Sequence, residues 1–112
     1  MSKSATQLLS RQAAEALRLL GQLIKSARLE RKMTGADLAQ RAGISRVLLQ
    51  RIERGTPSCS IGAVFEVAVI LGVPLFEAEK SALTARLRQV EDRLALLPKT
   101  ARPTTGKVDD DF

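Results

Sequence analysis

Two short windows in the middle of the chain, each opened by a hydroxyl residue and closed by a glycine, constrain the fold most. The first runs from Thr34 to Gly43 and the second from Ser45 to Gly55. A Thr or Ser oxygen accepts a hydrogen bond from the free N–H groups of a helix's first turn, and glycine tolerates the left-handed conformation that ends one. Asp37, three residues after Thr34, sits where a capping box places its acid, although Asp reaches less far than Glu. Helices this short are unstable alone. They must pack at a fixed angle on something else, with Leu38 and Ala39 facing inward from the first and Ile44, Leu49 and Ile52 from the second.

The flanks supply that support. Leu9, Ala13, Leu17, Leu20, Ile24 and Ala27 recur at steps of three and four, which predicts a helical face between about Thr6 and Lys32. Gly21 leaves open whether this is one helix or two. Ser60 caps a further helix over Ile61–Leu71, stopped by Gly72, and Pro74 suits the first turn of the next. From about Ser81 to Leu97, the residues Leu83, Leu87, Val90, Leu94 and Leu97 form an a/d seam two heptads long, ended by Pro98. Residues 99–108 are rich in Thr, Lys, Gly and Pro and read as a flexible tail, finishing Asp109-Asp110-Asp111-Phe112.

The fold class that follows is all-α, with five to six helices, an extended N-terminal helix and a C-terminal tail. Composition agrees, because 45% of the 112 residues are hydrophobic but only 3% are aromatic. A core of Leu, Ile, Val and Ala favours packed helices. One cysteine, Cys59, and no histidine exclude an internal disulfide framework and metal sites built from several Cys and His ligands. No metal or cofactor is expected. The apolar run Val67–Leu71 is far too short to cross a bilayer, and Lys3 is not followed by a continuous apolar stretch. The expectation is a cytoplasmic protein with no membrane partner.

Charge is distributed unevenly. Residues 1–56 hold eleven Lys/Arg against four Asp/Glu, a net +7, whereas residues 57–112 hold seven against eight, a net −1. The basic half is the part suited to a polyanion, unless it is simply a solvated surface. Helix, tight glycine-containing turn, helix is also what a unit that enters the major groove requires. Gly43 permits the turn, Ala39 lets the helices approach, and the second helix keeps one face free. No nucleophile–base pair or phosphate-binding loop is apparent, so an enzyme is not expected.

The stretch Thr34–Gly55, TGADLAQRAGISRVLLQRIERG, carries the pattern T-x3-LA-x3-GIS-x6-IERG. With its flanks, Arg28 through Val73, it resembles the lambda-repressor/Cro-like, or Xre-type, helix-turn-helix family. The resemblance covers roughly half the chain. It implies a compact lambda-repressor-like domain and a sequence-specific transcriptional repressor of double-stranded DNA. It implies a structural ion pair between Arg28 and Glu53. Base contacts would come from Arg46, Val47, Gln50 and Arg51, and phosphate contacts from Thr34, Ser45, Arg54, Thr56 and Arg41, with Lys32 as a possible outer contact. Arg can donate twice to guanine, and Val can meet a thymine methyl. The chain departs from the family at Gly35, where Gln commonly braces a phosphate, and at apolar Leu48, where a polar residue is common.

RGTPSCSIGAVFEVAVILGV (54–73), followed by a basic-apolar helix and an acidic end, resembles HipB-type antitoxins. Such subunits dimerise, repress their own operon and bind a HipA-type kinase toxin. The implied organisation is an N-terminal helical extension over 1–16, a DNA-binding domain over 17–80, an amphipathic dimer or partner helix over 81–97, and a tail over 98–112. A homodimer would read a palindromic operator, joined through the 83–97 seam or the long N-terminal helix. Asp109, Asp110, Asp111 and Phe112 would form a partner-binding tail, since three carboxylates are repelled by phosphate. A stand-alone regulator, or an interaction module that never touches DNA, are the alternatives.

Overall fold

Ser10 starts the first helix by accepting the Ala13 N–H at 3.1 Å. In the computed structural model, which describes residues 8–76 and 79–101, five helices and no strand follow. They are α1 (Arg11–Glu30), α2 (Gly35–Ala42), α3 (Arg46–Glu53), α4 (Ile61–Leu71) and α5 (Lys80–Leu96). The chain divides into two units, one ending at Ala78 and one beginning at Glu79. No helix among the described residues is long and apolar enough to cross a membrane.

In the first unit the caps foreseen at Thr34, Ser45 and Ser60 each hold a helix start, and Gly43 and Gly72 end helices in the left-handed conformation. The core is a cluster of Ile24 from α1, Leu38 and Ala39 from α2, Leu49 and Ile52 from α3, and Val67 and Leu71 from α4. It contains no aromatic ring. Each of the larger aliphatic side chains contributes about 1.5–3 kcal/mol by leaving water. Packing is densest where α1 meets α3 and where α4 meets α2, so α2 and α3 are held between two longer helices. Phe65 and Phe76 stack outside this cluster, ring centroids 5.9 Å apart.

The structure decides two points that the sequence reading left open and differs from it at a third. Gly21 does not interrupt α1, which is one helix across it. A Cβ at position 21 would lie 2.6 Å from the Glu53 carbonyl oxygen and 2.7 Å from that of Ile52. The glycine serves a close approach of backbones and leaves the helix unbroken. Leu48 is half-buried and packs against the core cluster. The helix expected from Pro74 is absent as far as Phe76, where the chain makes bends.

The second unit contains α5, none of whose residues is buried. Its start at Glu79 has no side-chain cap.

Candidate nucleic-acid interface

The turn between α2 and α3 is made by three residues, Gly43, Ile44 and Ser45. Gly43, at φ 70°, donates its N–H to the carbonyls of Ala39 and Gln40, and Ile44 donates to Ala39 at 3.0 Å. Nothing lies within 4 Å of where a Cβ on Gly43 would sit. The demand there is for the left-handed backbone alone, not for space. Ser45 Oγ then accepts the Leu48 N–H at 3.0 Å, as Thr34 Oγ1 accepts that of Asp37. Each hydroxyl still has its own proton to donate to a second partner, and both residues are exposed.

α3 has two unlike sides. Leu49 and Ile52 are buried in the core. Arg46, Val47 and Gln50 are exposed, Val47 to 65%, a high value for an aliphatic residue inside a helix. Helical spacing puts positions 46, 47, 50, 51 and 54 on one stripe. Arg54 is exposed at its far end, Arg41 is exposed in the last turn of α2, and Thr56 is half-buried just beyond. The stripe and its border carry four arginines.

Arg51 is the exception on that stripe. It is half-buried, and its Nη2 donates to Ser58 Oγ at 3.0 Å and to the Ser58 carbonyl at 3.3 Å. Sequence reading missed Ser58, whose only signal was a hydroxyl in the loop that follows α3.

Behind the stripe, Arg28 joins three elements. Its Nε donates to Glu53 Oε2 at 2.8 Å, its Nη2 to Glu53 Oε1 at 3.0 Å, and its Nη1 to the Met33 carbonyl at 3.0 Å. The two side chains are 12% and 9% exposed, so water screens the pair little. The hydrogen bond to Glu53 raises the Arg28 pKa above its ordinary value, against the effect of burial. The fork spans the end of α1, the connection to α2 and the end of α3, tying the orientation of α3 to the scaffold.

A second tie lies beside it. Gly55, at φ 76°, faces Leu17 and Arg18, and a Cβ there would come within 2.9 Å of the Arg18 Cα. Gly21 and Gly55 together let the backbone of α1 meet the end of α3 without intervening side chains.

Residues 24–77 match a helix-turn-helix family model. The matched segment begins inside α1, at the first core residue, and includes the whole of α2, α3 and α4. The match supports a DNA-binding transcriptional regulator. No curated protein matches the chain. Among the described residues of the domain and of α5, no three His, Cys, Asp or Glu side chains are grouped to hold a metal ion. Asp109 to Phe112, the partner-binding tail of the sequence reading, lie outside the described residues.

Proposed function

We propose that the chain is a sequence-specific transcriptional repressor that lays α3 in the major groove. One observation carries this reading: α3 is locked into the core along one side while Arg46, Val47 and Gln50 stand exposed along the other. Arg46 would donate a fork to guanine, Val47 would meet a thymine methyl, and Gln50 would read an adjacent base. Thr34, Ser45, Arg41, Arg54 and Thr56 would grip phosphates on either side and fix the register. Arg51 has a narrower role than a second fork. Either bidentate approach of a guanidinium uses Nη2, and that nitrogen is engaged by Ser58. While both Nη2 protons are held by Ser58, neither fork is available, and Arg51 offers a base only single donors from Nε or Nη1.

The finer reading is a homodimer on a palindromic operator that acts as a HipB-like antitoxin, repressing its own operon and binding a HipA-type kinase toxin. It is supported by the residues 54–73 that resemble that group and by the acidic end of the chain.

Anisotropy of labelled operator, selected from random duplexes, tests both levels. Arg46→Ala should weaken specific binding by roughly 10- to 100-fold, with a further loss in the Arg46→Ala/Arg51→Ala double variant. Wild-type operator affinity in the double variant, with unchanged circular dichroism, overturns the assignment of α3. A chain lacking residues 99–112 should keep operator affinity yet lose capture of a kinase encoded beside it. Undiminished capture removes the tail from the partner contact.

A further inference from the structure

We propose that α5 pairs with α5 of a second copy as a parallel, in-register two-stranded coiled coil. The proposal rests on the homodimer reading above and adds which segment joins the copies and in which direction.

The helix is an element without a core. None of its residues is buried, and the seam residues Leu83, Leu87, Val90, Leu94 and Leu97 are between 43% and 61% exposed. A helix of this length and mixed composition is marginal alone in water, so its apolar stripe requires a partner. Val90 and the leucines fall at alternating steps of four and three, which places Leu87 and Leu94 at a and Leu83, Val90 and Leu97 at d.

Charge then chooses the direction. The residues flanking the seam are Arg86 and Arg93 at g and Thr84 and Glu91 at e. In a parallel pair a g residue faces the e residue five places later on the other helix. Arg86 therefore faces Glu91 of the second copy, and symmetry makes two such attractions. In an antiparallel pair that engages the whole seam, Leu87 meets Val90 and Leu83 meets Leu94. That register sets Arg86 against Arg93 twice and leaves Glu91 opposite Thr84. Parallel pairing gives two opposite-charge contacts, and antiparallel pairing gives two like-charge contacts. Lys80, at the first a position, opposes its own copy in the parallel form. It lies in the first turn, where its long stem lets the ammonium reach water.

Direction has a consequence for DNA. Each α5 is joined to its domain at its N-terminal end, so a parallel coil sends both domains off the same end. An antiparallel coil would send them off ends roughly 25 Å apart, from 1.5 Å per residue.

The test uses the full chain in a Cys59→Ser background, with sedimentation reporting the oligomeric state. Leu83→Cys and Leu94→Cys are introduced one at a time under mild oxidation. Each should cross-link to its own kind, since each residue meets itself in the parallel register. Cross-linking only when the two variants are mixed shows the antiparallel coil. A dimer that cross-links in neither case places the contact elsewhere, for example at Leu19 and Leu23 of α1, and overturns the coil while keeping the dimer. A monomer at high micromolar concentration overturns the dimer itself. Charge provides a readout without cysteines. Glu91→Arg should weaken the dimer by roughly tenfold, and Arg86→Glu/Glu91→Arg should restore it. A strengthened dimer in Arg93→Glu, with no effect of Glu91→Arg, marks the antiparallel pair and overturns the proposal.

Discussion

Among the described residues α1 and α5 are the two longest helices, 20 and 17 residues, and they solve opposite problems. α1 buries Gly21 and Ile24 and is anchored by the Arg28–Glu53 fork. α5 buries nothing. Both display an apolar stripe in the sequence, so periodicity alone does not separate a helix that completes a core from one that requires a partner. What separates them is the small residues. α1 has a glycine where another backbone must come close, whereas α5 has none and carries charges along the borders of its seam.

The sharpest way to break this contrast is to remove the close approach. Gly21→Val would drive side-chain carbon into the carbonyls of Ile52 and Glu53, which have no rotamer with which to move aside. The loss should exceed the about 1–3 kcal/mol of ordinary overpacking, enough to unfold most of a domain this small. The chain has no Trp or Tyr, so circular dichroism melts are the measurement. A melt like that of the parent would mean that α1 and α3 can separate at no cost.

Next in size is the ion pair. Arg28→Ala leaves the Glu53 carboxylate with little water and no partner, and it frees the Met33 carbonyl. The expected loss is about 3 kcal/mol in chemical denaturation, at the lower end for a buried pair because a little of each group is exposed. Arg28→Lys should recover only part, since an ammonium cannot form the two-point contact. Full recovery by lysine would reduce the fork to a simple charge attraction.

The smallest effect sharpens the comparison from the other side. Leu87→Gln and Leu94→Gln alter no core contact, so the main unfolding transition should shift by less than about 0.5 kcal/mol. A large shift would show that α5 supports the domain directly.

Much of this fold was legible because its signals are local. Thr34, Ser45 and Ser60 were recognisable as caps, and Gly43, Gly55 and Gly72 as stops, since each acts on backbone groups within a few residues. Ala39, Leu49 and Ile52 were recognisable as core from helical spacing. What stayed hidden depends on residues far apart in sequence. Gly21 looked like a possible break because its reason for being glycine lies 31 and 32 residues away, in the carbonyls of Ile52 and Glu53. Leu48 looked like an apolar residue at a polar position of the family until its packing against the core cluster accounted for it. Arg51 looked like a second fork because nothing in its own helix announces the bond to Ser58.

The meeting of α1 with α3 through Gly21 and Gly55 separates two properties that could otherwise interfere. The tilt of α3 is set by main chain resting on main chain and by the Arg28–Glu53 fork behind it, and so is indifferent to the side chains on the opposite surface of the helix. Positions 46, 47 and 50 can therefore be exchanged without disturbing how the helix is presented. If α3 is the reading helix, a change in the preferred site is open to single substitutions on its exposed face, whereas a change in the angle of approach would have to disturb the glycine contacts or the fork on which the domain's stability rests. Preference is then easy to evolve in this domain, and posture is not.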